Sequence, residues 1–446
     1  MRSSPSHLAT TIVVALLAAA CSSTATPAPT MTPPPSEQPP SAPGTGTPGS
    51  TPIDTPGATP AEAAVWLGAG DLVEPRSAAH VVLLGAGKVL VVGSDWMTSW
   101  LATCGTATAG SDSVEIGDPL AKAWEKTTSL PSRREAPVVV ALPDGRALLT
   151  GGRTGEEGGP TAYASTYLFD PEARSWSEFG PLNTARTGAA SAVLADGRVL
   201  VAGGLSIDVA GQRDLDSSEV WDPASGTWSP TSPLAGTRLN ASAVTLADGR
   251  VLVVGGVANN GDEIQLAAAE VFDPVSGRWS SAGTLATARS AFTLVALADG
   301  GAIVIGGFGG GAPRAVGRVS TVERFDPVSN SWSPAQDFPG PVTGATGIRL
   351  ADGRVLVAGG SAREPKPIDP EAGTYVSGLA ADAALFDPAT GAWAVTTPMP
   401  TARAGASAVL LADGSALFAG GSAAEEPGTP GCPVAEPTVV RYVPGS

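Results

Sequence analysis

The chain has 446 residues, with 42 acidic side chains against 26 basic ones and a formal net charge of -16. That excess argues against nucleic acid as a partner, and against direct adhesion to anionic membrane surfaces, since both need a basic face. Two histidines and three cysteines leave little imidazole or thiolate for a metal centre, and none of them has zinc-site spacing.

The first segment carries Arg2, a short apolar run over residues 12–20, and the small residues Ala18, Ala19 and Ala20 before Cys21. The run is too short to span a bilayer, so residues 1–21 read as an export signal. The small residues resemble a bacterial lipobox, which makes Cys21 the lipid-attachment site; an ordinary secretory signal is the alternative. Residues 22–62 are dominated by Pro, Thr, Ser, Ala and Gly, with too little apolar surface to offset the entropy of ordering. They read as a disordered tether.

From about residue 63 onward, two features recur in step. Trp66, Trp124, Trp176, Trp228, Trp279, Trp332 and Trp393 form one series. Gly93-Ser94, Gly151-Gly152, Gly203-Gly204, Gly255-Gly256, Gly306-Gly307, Gly359-Gly360 and Gly420-Gly421 form the other. Such a period signifies a repeat architecture. Trp66 precedes the first glycine site and no tryptophan follows the last, so the final repeat must take its tryptophan strand from the N-terminal end. Within each repeat, an Asp-Gly turn such as Asp196-Gly197 joins two short apolar runs, and an Asp-Pro turn such as Asp222-Pro223 precedes the tryptophan. Four strands per repeat follow, called a to d from the centre outward, with the glycine pair ending strand b.

The ordered set of double glycine, aromatic third strand and tryptophan resembles the kelch motif over residues 63–446, in the form found in the central domain of galactose-oxidase-like proteins. The resemblance implies an all-β fold: a seven-bladed β-propeller with four antiparallel strands per blade, closed by an N-terminal strand that completes the last blade. In that fold the variable b-c loops share a face with the d-a connections, opposite the tight turns. Loops on a rigid scaffold carry function, so a ligand is expected there.

Several residues are candidates for that face. An arginine follows six of the seven tryptophans by ten residues, namely Arg76, Arg134, Arg186, Arg238, Arg289 and Arg403, with Val342 breaking the series. Some kelch adaptor domains hold acidic peptides with a matching arginine, which implies a carboxylate-binding ring. The competing reading is an inter-strand ion pair in every blade, with Glu115, Glu219, Glu270 and Glu323 as partners. Trp96, Trp100 and Tyr375 lie outside the repeat's own aromatic positions and are candidates for sugar stacking or a protein hot spot, or else for filling the groove between blades 1 and 7.

The resemblance also places Cys104 and Cys432 on adjacent b-c loops of blades 1 and 7. In an oxidising compartment this predicts a Cys104–Cys432 disulfide, with two free thiols as the alternative.

Catalysis is poorly supplied. The copper chemistry of galactose-oxidase-like enzymes needs histidine and tyrosine ligands, whereas His80 is the one histidine beyond the signal, beside Tyr163, Tyr167, Tyr375 and Tyr442. Gly309-Gly310-Gly311 lacks the Lys-Ser or Lys-Thr of a phosphate cradle. A carboxylate-based carbohydrate-active enzyme using residues among Asp95, Asp112, Glu156, Glu364 and Asp369 stays open as an alternative, as does a purely structural envelope protein. The leading expectation is a monomeric, membrane-anchored, extracytoplasmic binding module of a bacterial envelope, without cofactor or metal, taking a protein or carbohydrate ligand.

Overall fold

The computed structural model describes residues 64–77, 79–93, 111–154, 160–258, 264–309, 317–361, 366–369, 374–376, 379–425 and 433–445. All fall within one unit, Ala63–Ser446.

The described residues form six four-stranded antiparallel sheets and one six-stranded sheet that joins the two ends of the described chain, here called blades. Blade 3 shows the pattern, with strand a Ala190–Val193, b Val199–Ala202, c Ser218–Asp222 and d Thr227–Pro230. Strand b is buried along its whole length in every blade, as in Val251–Val254 of blade 4, which explains the unbroken apolar tetrads in the sequence. The a strands, His80–Leu83, Val138–Ala141, Ala190–Val193, Ser242–Thr245, Thr293–Ala296, Thr346–Arg349 and Ser407–Leu410, neighbour one another in a closed cycle. That cycle makes the architecture a β-propeller.

The ring is closed by the N-terminal segment. Val65–Arg76 is the outer strand of the last blade and pairs antiparallel with Pro433–Val443, with Val65 opposite Val443 and Trp66 opposite Tyr442. This strand is long, running without a break from Val65 as far as Arg76.

Blades are tied to one another by the recurring residues. Each repeat tryptophan donates its indole N–H to the preceding blade. Trp228 donates to Thr166 Oγ1 at 2.9 Å, Trp332 to the Ala282 carbonyl at 2.9 Å and Trp66 to the Thr397 carbonyl at 2.7 Å. The glycine pair is the inner joint. Gly203 has φ +68° and a Cβ there would lie 2.4 Å from the Arg238 carbonyl of the next blade. Its neighbour Gly204 donates its N–H to that same carbonyl at 2.8 Å. Positive φ and close backbone approach are what glycine alone supplies.

The Asp-Pro turns also hold a left-handed residue not evident from the Asp-Pro pair, such as Arg174 at φ 52° or Asn330 at φ 54°. The first turn of blade 1 is a three-residue 3-10 turn, Gly85–Gly87, in place of Asp-Gly.

The b-c loops are more regular than expected. Leu205–Asp208 pairs with Gly211–Asp214, and Val257–Ala258 with Ile264–Gln265, giving short hairpins above the blades. Gly309, the first of the three consecutive glycines, lies in strand Phe308–Gly309.

Candidate functional site

The six arginines sit inside the blades. Each is at most 3 % exposed, so none offers its guanidinium to an open face. Of the two readings of the series, this burial favours the inter-strand ion pair over a carboxylate-binding ring. Arg186 donates through Nη1 to the Gly203 carbonyl at 2.9 Å and the Ser217 carbonyl at 2.8 Å. Through Nη2 it reaches Ser217 Oγ at 3.1 Å and Glu219 Oε1 at 2.7 Å. Arg289 repeats the arrangement on Gly306, Thr321 and Glu323. Arg76 does so on Gly93, Ser113 and Glu115, and Arg238 on Gly255, Ala268 and Glu270. Burial pulls the Arg186 and Arg289 guanidinium groups below their ordinary values, and the charges of Glu219 and Glu323 pull them back.

The glutamate has a second task. Glu219 accepts the backbone N–H groups of Asn183 at 2.7 Å and Thr184 at 3.1 Å, in the d-a connection leading to Arg186. Glu115 does the same for Val73 and Glu74. Glu270 accepts from Ala235, and Glu323 from Ala286 and Thr287. Three residues before the ring position, those four blades thus have a residue with a free N–H. The other three blades have Pro131, Pro339 and Pro400 there, and the matching strand-c positions are Tyr167, Ala384 and Val440. A proline lacks the N–H that the glutamate would accept, so donor and acceptor are lost together.

The blades without the glutamate solve the arginine's charge differently. Arg134 stacks on the rings of Tyr163 at 4.3 Å and Tyr167 at 5.2 Å. Arg403 keeps Thr438, with Glu436 at 3.9 Å. In blade 6 the arginine itself is replaced by buried Val342, packed with Ala384 in one apolar cluster.

On the loop face, among the described residues, a cavity of about 430 Å³ lies beside blade 1. It lies between the connection holding Glu74 and Pro75, the segment Ser111 to Val114, and the outer strand's end at Lys126 and Thr127. Ser129 and Arg133 complete it, and Arg76 forms part of its wall with its fork already engaged. Lys126 is ion-paired to Glu74, and this bond holds the Glu74 carboxyl below its ordinary range. Arg133 is exposed at the rim. Asp112 is the one expected carboxylate that the structure puts in this cavity, and Arg133 is a residue that sequence reasoning missed. No repeat signal marks Arg133, because it stands one position before the series. Hydroxyls and charges of both signs make a hydrogen-bonding surface suited to a polar ligand.

Trp96, Trp100, Cys104, Cys432, Cys21, Asp95, Glu156 and Glu364 lie outside the described residues. Tyr375 belongs to strand Thr374–Val376, paired with Pro367, and Asp369 to Lys366–Asp369; their side chains lie outside the described set. His80 opens strand a of blade 1. Its Nε2 is sealed from solvent without a hydrogen-bond partner, and burial lowers its pKa to about 4.

Comparison with known proteins agrees with this geometry. The Kelch motif model matches residues 238–286 and 291–339. The chain is similar to Kelch-like protein 35 of Mus musculus, 28% identical over 206 residues, which is 46% of this chain and 32% of that protein. It is similar also to Kelch-like protein 36 of Bos taurus, 24% identical over 68% of this chain and 46% of the relative. An F-box/kelch-repeat protein of Arabidopsis thaliana is 29% identical over 36% of this chain and 42% of that protein. The chain thus spans less than half the length of these curated relatives. Among solved structures, a fungal alcohol oxidase of the AA5 family in complex with copper superposes with TM-score 0.62 at 18% identity, covering 86% of this chain and 77% of that one. The structure of YjhT superposes with TM-score 0.50 at 17% identity, over 70% of this chain and 95% of the other.

The fold carries over from the oxidase, but the residues present do not fit its copper. His80 is the one histidine of the propeller, and the described residues hold no group of three or more His, Cys, Asp or Glu placed to take a metal. What the motif matches, the strand pattern and the superpositions establish together is that this chain carries kelch repeats folded as a β-propeller.

Proposed function

We propose that the chain is a seven-bladed propeller acting as an extracytoplasmic, membrane-anchored binding module whose loop face takes a protein ligand. The observation that carries this reading is the polar cavity beside blade 1. It is open on the face of the b-c and d-a loops and holds Arg133, Asp112 and a row of hydroxyls, while the ring arginines are withdrawn into the frame. The kelch-like relatives favour an interaction role over catalysis. Cys21 would provide the anchor, and a Cys104–Cys432 bridge would staple the loops of blades 1 and 7. Intact mass of the protein from its native host tests both, through a diacylated Cys21 and a mass two hydrogen atoms short of the reduced form.

The binding face is tested by photo-crosslinking in the native host, with the crosslinker at Arg133 on the loop face or at Glu172 in an Asp-Pro turn on the opposite face. A discrete adduct at Arg133 and none at Glu172 is expected. Equal labelling at both positions, or none at either, would contradict the assignment.

A further inference from the structure

The opposite face holds a second cavity of different character. It measures about 670 Å³ and lies among the turn-side ends of the a strands of blades 4 to 7. Its walls are aliphatic: Val244, Leu294, Ala296, Ile348 and Leu410 line it, with turn alanines such as Ala298 at the lip. These side chains are only partly buried by the protein itself. Its volume is that of a small-molecule site, and its apolar wall gains free energy by being covered.

On this face the arginines beside the first turns are paired in place, while the Asp-Pro turn aspartates accept backbone N–H groups. Asp144 pairs with Arg146, Asp196 with Arg198, Asp248 with Arg250 and Asp352 with Arg354. Asp299 pairs with Arg324, and Asp413 with Arg441. Arg349 stands outside this scheme. It ends strand a of blade 6, where the other blades have Leu83, Ala141, Val193, Thr245, Ala296 and Leu410. It is exposed, lines the cavity, and has no carboxylate within ion-pairing distance among the described residues.

We infer that this cavity binds an aliphatic monocarboxylate, its chain along the Leu294–Ile348–Leu410 wall and its carboxylate on the Arg349 guanidinium. A guanidinium fork beside an apolar wall matches an amphipathic acid better than a neutral lipid or a sugar. The overall charge of -16 disfavours ligands with several negative charges, so a single carboxylate is the matching head group.

The test is calorimetric titration of octanoate into the full chain carrying Cys21→Ser, which allows work without detergent. Saturable binding with one site is expected, weakened at least about tenfold by Arg349→Ala, or about 1.4 kcal/mol. Arg349→Lys should restore part of the loss, Ala296→Trp should abolish binding by filling the cavity, and Arg213→Ala, exposed in the b-c hairpin of blade 3, should leave the octanoate affinity unchanged. Absence of saturable heat in the parent protein would overturn the inference. So would an unchanged affinity in Arg349→Ala, or octanol binding as tightly as octanoate.

Discussion

Glu219 and Asn183 are bound across the blade by a 2.7 Å hydrogen bond from the Asn183 backbone N–H to the carboxylate, the same carboxylate that neutralises Arg186. Blades with a proline at the Asn183 position have no glutamate at the Glu219 position. The pairing of these two choices expresses one constraint, that a buried acceptor and its donors are kept or discarded as a set.

Asn183→Pro should therefore cost about 1–3 kcal/mol, the penalty for leaving a buried acceptor short of its donor. In a Glu219→Tyr background, which imitates Tyr167 of blade 2, the same change should cost markedly less. Urea denaturation of the two single variants and the double variant measures the difference. Equal costs in both backgrounds would show that the two positions are independent.

The glycines of the double-glycine site and of the outer turns should respond differently to alanine. Gly391 has φ +72° with nothing within 4 Å of an added Cβ, so Gly391→Ala should cost only the left-handed conformation, about 1–2 kcal/mol. Gly203 has a similar φ and the Arg238 carbonyl at 2.4 Å from an added Cβ. Gly203→Ala should add an overpacking cost of about 1–3 kcal/mol and open the joint between blades 3 and 4. Thermal melts of the two variants give the order directly.

Closure predicts a large effect from a small terminal change. Trp66 meets Phe418 and Tyr442 edge-on at 5.3 and 5.2 Å and donates to blade 6. Trp66→Ala should lower stability by about 3 kcal/mol, near the lower end of the range for buried aromatics because the ring is half-buried. Hydrogen exchange should rise first in Pro433–Val443, the strand it locks. An unchanged exchange pattern there would mean that the N-terminal strand does not hold the last blade.

His80 gives a pH dependence. Burial depresses its folded pKa from 6.5 to about 4, so the unfolded chain binds the proton first as pH falls. The contribution to stability is complete above pH 6.5 and is lost between there and about pH 4, amounting to at most about 3 kcal/mol. His80→Val, matching the valine that opens strand a of blade 2, should flatten the stability profile in that window. An equally steep fall in the variant would assign the effect to other groups.

The framework was legible in the sequence because its constraints repeat. The glycine pairs, turn aspartates and tryptophans recur in matching places in most blades, and the strand shared between the chain ends followed from the unpaired Trp66. The arginine ring was legible as a pattern but ambiguous in role. A periodic residue can face either a common axis or a common interior, and only the side-chain geometry separates the two. Arg133 and Arg349 were invisible because they are single departures from the repeat, with no periodicity to announce them. The b-c hairpins were missed for a related reason, since their short strands carry too few residues to show alternation.

The central claim is that the arginines hold the blades together and do not contact ligand. A double-mutant cycle on Arg289 and Glu323, followed by urea denaturation, tests it most directly. Each single alanine variant should lose about 3–5 kcal/mol by stranding a buried charge. The double variant should lose less than the sum, with a coupling of about 1–3 kcal/mol. Single variants that unfold at the parent's midpoint, with no coupling between them, would contradict the claim and return the arginine ring to the list of ligand contacts.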